Sequence, residues 1–180
     1  MTEEKHVERR ECEGKIDRSL QRNIFVKFMI DKLDKAGCEI PRSFFVAEEC
    51  GVEVGGGFVP GRGITICHNH LTEQGEIDRC LVHELVHAYD HCRANIDWSN
   101  CEHHACSEIR AATLSGDCDL WQEFFRGNWK LKGQFQNCVK RRAELSVRMN
   151  PSCSEITAKA AVDSVFEKCF KDTAPFDRIP

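Results

Sequence analysis

His83-Glu84-Leu85-Val86-His87 decides how this chain reads. Side chains at i and i+4 share one face of a helix, so the two imidazoles stand one turn apart. Two neutral imidazoles so placed can hold one zinc ion. The carboxylate directly after the first can take a proton from water activated there. These residue types at this spacing point to metal-assisted hydrolysis, above all of a peptide bond. The flanking residues support a helix over 73–92. Thr72 stands where an N-cap belongs, and Glu73, Glu76 and Asp78 crowd the start, where the helix dipole favours acids. Ile77, Leu81, Leu85 and Ala88 recur at helical spacing, while His83, His87 and Asp90 follow a different stripe.

A catalytic zinc takes three protein ligands and keeps one open position. Asp90 lies seven residues beyond His83, roughly 10 Å along the axis, so three ligands from one helix would converge poorly on an ion with bonds near 2 Å. A ligand from a second helix is sterically easier. The stretch Cys101-Glu102-His103-His104-Ala105-Cys106-Ser107-Glu108-Ile109-Arg110-Ala111-Ala112 reads as that helix. Glu108 falls 21 positions after His87, a spacing that resembles thermolysin-like enzymes. The ranking is Glu108 first, His104, on the same face, second, and Asp90 third. Asp90 and His91 suit a supporting role that orients a ligand imidazole. Glu84 is the expected catalytic base. The donor that steadies the oxyanion stays open among His103, His104, Tyr89 and Arg110.

Outward from the motif, the expected fold is α+β and zincin-like, mostly helical, with a small sheet before the metal helix. A helix over 15–36 closes at Gly37. Strands and loops fill 43–70, with Phe44-Phe45-Val46 as one strand and Ile64-Thr65-Ile66-Cys67-His68-Asn69-His70 as a second strand-like run. The second is either an ordinary core strand or a sheet edge on which an extended peptide could pair. His68 and His70 fit structure or simple exposure better than metal binding. Helices follow over 100–115, briefly over 120–125, then over 136–149 and 153–171, the last capped by Ser152 or Ser154. Trp129 sits in a glycine-punctuated loop. One metalloprotease domain over 1–180 is expected, with a catalytic core over 15–135 and a C-terminal helical pair over 136–171.

Twenty-five Lys and Arg against 29 Asp and Glu give a net charge of −4, which argues against a broad nucleic-acid footprint. Lys140-Arg141-Arg142, flanked by acids, reads as a solvated helix face. No apolar stretch approaches the roughly 18 residues needed to cross a bilayer. Twelve cysteines spread along the whole chain without a Cys-x-x-Cys pair favour disulfides over a zinc knuckle. The first ten residues are charged and lack the apolar core of a secretory leader. Oxidised cysteines without such a leader point to the mitochondrial intermembrane space, where import is coupled to thiol oxidation.

The sequence His83-Glu84-Leu85-Val86-His87-Ala88-Tyr89-Asp90-His91-Cys92-Arg93, then Ala105-Cys106-Ser107-Glu108-Ile109-Arg110-Ala111-Ala112 and Leu114-Ser115-Gly116-Asp117-Cys118, resembles the mitochondrial inner-membrane metalloproteases that mature subunit 6 of the F-type ATP synthase. The stretches Cys138-Val139-Lys140-Arg141-Arg142-Ala143 and Asn150-Pro151-Ser152-Cys153 are similar to that family too. The resemblance implies a peripheral protein on the intermembrane-space face of the inner membrane. It implies processing of an ATP synthase subunit precursor and help in assembling the membrane sector. It implies zinc on His83 and His87, catalysis by Glu84, and disulfides introduced on import. Glu108 as third ligand rests on the residue reading alone. The alternatives are an assembly chaperone with a dispensable protease site, and a Ku-binding accessory of DNA repair, as the animal branch has been named.

Overall fold

A computed structural model describes residues 3–119, 124, 127 and 133–180. The short helix expected over 120–125, apart from Phe124, and Trp129 lie outside them. The described residues form six helices and a three-stranded sheet, an α+β arrangement that is mostly helical. The chain divides into two compact units, residues 1–93 and 94–180.

In the first unit, α1 (Glu3–Arg22) and α2 (Ile24–Lys35) replace the single helix expected over 15–36. The break is at Asn23. Its side chain accepts hydrogen bonds from the backbone N–H groups of Phe25 (2.9 Å) and Val26 (3.1 Å), so a fresh helix starts there. Gly37 ends α2 as expected, at φ +87°. The N-terminal half of α1 went unread because Cys12, Ile16 and Ser19 are its only buried residues, too few to set up a period.

The sheet is ordered β1 (Phe45–Glu48), β3 (Gly63–Cys67), β2 (Gly56–Val59). β1 runs parallel to β3 with Phe45 opposite Ile64, and β2 runs antiparallel to it with Gly57 opposite Thr65. β3 is therefore the central strand, buried at four of its five positions. The core-strand reading of the 64–70 run holds as far as Cys67, where the strand gives way to a turn, and the sheet-edge reading does not hold. Of the two outer strands, β1 is covered by α1: the Ala47 N–H donates to the Glu13 carboxylate at 2.9 Å, and Arg42 bridges Glu13 and Asp17. Gly63 must be glycine, since at φ +108° a Cβ would stand 2.3 Å from the Phe44 carbonyl oxygen.

α3 (Gln74–Ala94) follows the sheet. It starts one residue later than expected. Glu73 occupies the N-cap position, and Glu76 reaches back to accept from its N–H at 3.3 Å. Ile77, Leu81 and Leu85 are fully buried and Ala88 nearly so, as their spacing requires. Lys15 holds the helix entrance by donating to the Thr72 carbonyl at 2.6 Å.

The second unit packs α4 (Cys101–Leu114) against α5 (Gln134–Arg148) and α6 (Glu155–Lys171). Asn100 caps α4 and Ser154, rather than Ser152, caps α6. Its core is built largely from small side chains, among them Ala105, Ala112, Ala143, Ala158 and Ala161 with Val139, Val147 and Val162. Such residues bury little apolar area each. Disulfides supply the missing constraint: Cys101–Cys153, Cys106–Cys169 and Cys118–Cys138 tie α4 and its exit to α5 and α6. In the first unit Cys38–Cys92 ties the end of α2 to α3, and Cys50–Cys67 closes the sheet. On the chain-entropy account, loops of 17 to 63 residues give about 3–4 kcal/mol per bridge. The expectation of an oxidised chain is met by these five bridges. Among the described residues no helix is long and apolar enough to cross a membrane.

Two predictions follow from the cysteines. Alkylation of denatured but unreduced protein adds two labels, on Cys12 and Cys80, and after reduction it adds twelve, as read by intact mass. Burial pushes the Cys12 thiol up from the ordinary 9.0 to about 11, with Glu13 adding to the shift. The unfolded chain releases this proton above pH 9 while the fold retains it to about 11. The group's contribution is therefore whole below pH 9 and declines between 9 and 11. Cys12→Ala shows a shallower fall in urea midpoint across that window than the wild type.

Candidate metal centre

α3 carries the motif through its middle, far from either fraying end. His83 and His87 stand one turn apart with ring centroids 4.8 Å from each other and planes at 78°. The rings thus meet edge to face, and one pair of nitrogens can turn to a shared point. His87 is 5% exposed and Glu84 6%, so both side chains are largely shielded from bulk water. The apolar stripe of Ile77, Leu81 and Leu85 seats the helix and fixes which way the other stripe points.

The outer strand β2 lies along this stretch of α3. A Cβ on Gly56 would come within 3.0 Å of the Cys80 sulfur, and the Phe58 ring lies 6.0 Å from that of His91. Cys80 and His91 bracket the motif on either side. Toward the end of α3, Asp90 is buried and accepts from Arg93 Nε at 3.1 Å, and the Arg93 guanidinium lies 5.5 Å from the centre of the Tyr89 ring.

Glu108 sits mid-way along α4, 5% exposed. Its Oε1 accepts two hydrogen bonds, from Ser146 Oγ at 2.6 Å and from His104 Nε2 at 3.2 Å. The amide of Asn150 fixes the tautomer that allows the second. Its Nδ2 donates to His104 Nδ1 at 3.0 Å, which leaves the proton on Nε2, and it also donates to the Trp98 carbonyl at 2.7 Å. The Trp98 ring meets His104 edge to face at 5.7 Å. His104, the second choice for third ligand, is thereby occupied in orienting the first choice. Ser146 and Asn150 escaped the sequence reading, being 38 and 46 positions from the residues they hold, with no local pattern to mark them.

Of the four oxyanion-donor candidates, Arg110 is fully buried and is held at the C-terminal tail. It pairs with Asp172 at 2.7 Å and donates to the Asp172 and Ala174 carbonyls. His103 accepts from the Asp97 N–H at 3.4 Å on the exposed side of α4. Outside the motif, His68 is buried beneath Glu8 (3.8 Å) and His70 is exposed beside Asn69, in keeping with structural roles.

Two imidazoles and a carboxylate, His83, His87 and Glu108, make the set among the described residues that could hold a metal ion. The donors suit zinc, which takes nitrogen and carboxylate oxygen and has no strong geometric preference.

A family model described as the peptidase M76 family matches residues 10–177. The human mitochondrial inner membrane protease ATP23 homolog is 44% identical over 172 residues, covering 94% of this chain and 70% of that protein. The mitochondrial inner membrane protease atp23 of Aspergillus niger is 44% identical over 171 residues, covering 93% and 72%. The ATP23 homolog of Xenopus laevis is 42% identical over 172 residues, covering 94% and 73%. No solved structure matches. With a family model over nearly its whole length and relatives this close, the chain belongs to the peptidase M76 family.

Proposed function

We propose that this chain is a zinc-dependent endopeptidase of zincin-like fold, acting on the intermembrane-space side of the mitochondrial inner membrane. Its proposed substrate is the precursor of an ATP synthase subunit, and it also assists assembly of the membrane sector. The observation that carries the reading is the His83–Glu84–His87 turn, mid-helix with Glu84 and His87 buried, in a chain of a peptidase family. Support for mitochondrial inner-membrane placement comes from the names of the relatives. The five disulfides support an oxidising compartment such as the intermembrane space. In this reading both units belong to one metalloprotease domain.

His83, His87 and Glu108 would hold the ion. When bound, zinc supplies a Lewis acid that polarises the scissile carbonyl and brings the pKa of water to about 7. The chain's own residues then do the following. Glu84 removes a proton from the attacking water and delivers it to the leaving amine nitrogen. The water oxygen bonds to the carbonyl carbon as the C–N bond breaks. Ser146 and His104, through Oε1, keep the Glu108 carboxylate in one orientation. An extended substrate pairs its backbone with β2, the outer strand that α1 does not cover, and so lies alongside the motif stretch of α3.

Two measurements test this. Glu84→Gln retains the metal of the wild type, by elemental analysis of the oxidised protein, while cleavage of an unfolded protein substrate falls about 10²–10⁴-fold. If Glu84→Gln cleaves normally, the catalytic assignment is wrong. If it is inactive yet restores ATP synthase assembly in cells lacking the protein, the chaperone role stands apart from the protease. Among ligand variants, His83→Ala and Glu108→Ala lose the metal, whereas His104→Ala and Ser146→Ala weaken binding about 10–100-fold without abolishing it. Full occupancy in Glu108→Ala beside an empty His104→Ala would reverse the ligand assignment.

A further inference from the structure

Between Asp17 and Asp31 the chain carries no acid, although acids outnumber bases overall, and it places Arg18, Arg22 and Lys27 there. This stretch is the corner where α1 gives way to α2. The Asn23 cap fixes the turn, and the first residues of α2 project from it: Ile24 is 71% exposed and Phe25 39%. α2 has no acid in its first turn, where helices favour one, and α1 ends on Arg22. Beside the two apolar side chains is a cleft of about 340 Å³, walled by Arg18, Arg22, Ile24 and Phe25. Asp78 also lines it, its Oδ1 accepting from Ser19 Oγ (2.5 Å) and Gln74 Nε2 (3.0 Å), so one negative charge stands against the cations Arg18 and Arg22 of the wall. The result is a positively charged rim around apolar tips on an otherwise acidic molecule.

We propose that this corner is a docking surface for an anionic phospholipid bilayer. Ile24 and Phe25 enter the boundary between headgroups and acyl chains, and Arg18, Arg22 and Lys27 bind phosphates around them. The charge complementarity selects lipid phosphate over the zwitterionic surface of a neutral bilayer, and the apolar pair supplies the second signal that stable peripheral binding needs. The proposal deepens the inner-membrane placement proposed above and rests on it for the membrane concerned, though not for the lipid chemistry. Each cation near an anionic surface contributes about fivefold in partitioning, and burying one large aliphatic side chain tenfold or more.

The test is sedimentation of the full oxidised chain with vesicles of phosphatidylcholine alone, or with about 30% phosphatidylglycerol, in low and high salt, beside cleavage of a soluble peptide by the same samples. The wild type binds the anionic vesicles and not the neutral ones, and high salt releases it. Ile24→Glu lowers binding at least tenfold. It puts an acid at the first position of a helix, so the fold tolerates it. Arg18→Gln with Arg22→Gln lowers binding about 25-fold, and Ile24→Trp strengthens it. Peptide cleavage stays unchanged in all three. A wild type that ignores anionic vesicles, or variants that bind as it does, overturns the proposal. If cleavage persists in that case, the protease reading survives it. Vesicle binding by a chain with no peptidase activity does the reverse. Variants that lose cleavage and keep vesicle binding show that the corner receives protein, which also overturns the proposal.

Discussion

The chemistry depends first on α3 remaining one continuous helix from Gln74 to Ala94. Two imidazoles four residues apart can serve one ion only while the intervening turn is regular, because a single lost i→i−4 bond would swing His87 away from His83. The helix is held against that by its other face. Ile77, Leu81 and Leu85 have no exposure, and any rotation that moved the histidines would bring those side chains into water. Each costs about 1.5–3 kcal/mol to expose, more than a solvated surface helix has to resist twisting. The Cys38–Cys92 bridge fastens the far end of the same helix to the close of α2.

The relation of sequence to structure follows from range. The motif helix could be read because its signals are local: the apolar residues repeat within eleven positions and the acids gather at its start. The α6 cap, Ser154, is local too. The break at Asn23 was hidden because apolar residues continue through it. An asparagine between Arg22 and Ile24 marks an N-cap only once the two N–H groups it serves are known. Strand order was invisible for another reason. β3 follows β2 in sequence yet sits between β2 and β1, and its burial on both faces gives the same short apolar run whether or not it is central. Ser146, which holds Glu108, and Asn150, which holds His104, come from the far end of α5 and the turn after it, where no sequence rule reaches.

The cysteines and the carboxylate of the second unit answer to one geometric need. Glu108 and His104 are one turn apart on α4, and the residues that hold them, Ser146 and Asn150, come from the end of α5 and the turn after it. A core rich in alanine and valine cannot by itself keep one helix end registered against another to within a hydrogen bond. Cys101 and Cys106 flank His104 on α4, and their bridges run to Cys153, three residues past Asn150, and to Cys169 on α6. Oxidation therefore fixes the segment carrying Asn150 against the segment carrying His104. Reduction would leave the hydrogen bonds of Ser146 and Asn150 to hold that register alone, at about 1 kcal/mol each. The placement of the Glu108 carboxylate is thus tied to the redox state of its own unit, so a reducing compartment would weaken that placement before it unfolded the chain.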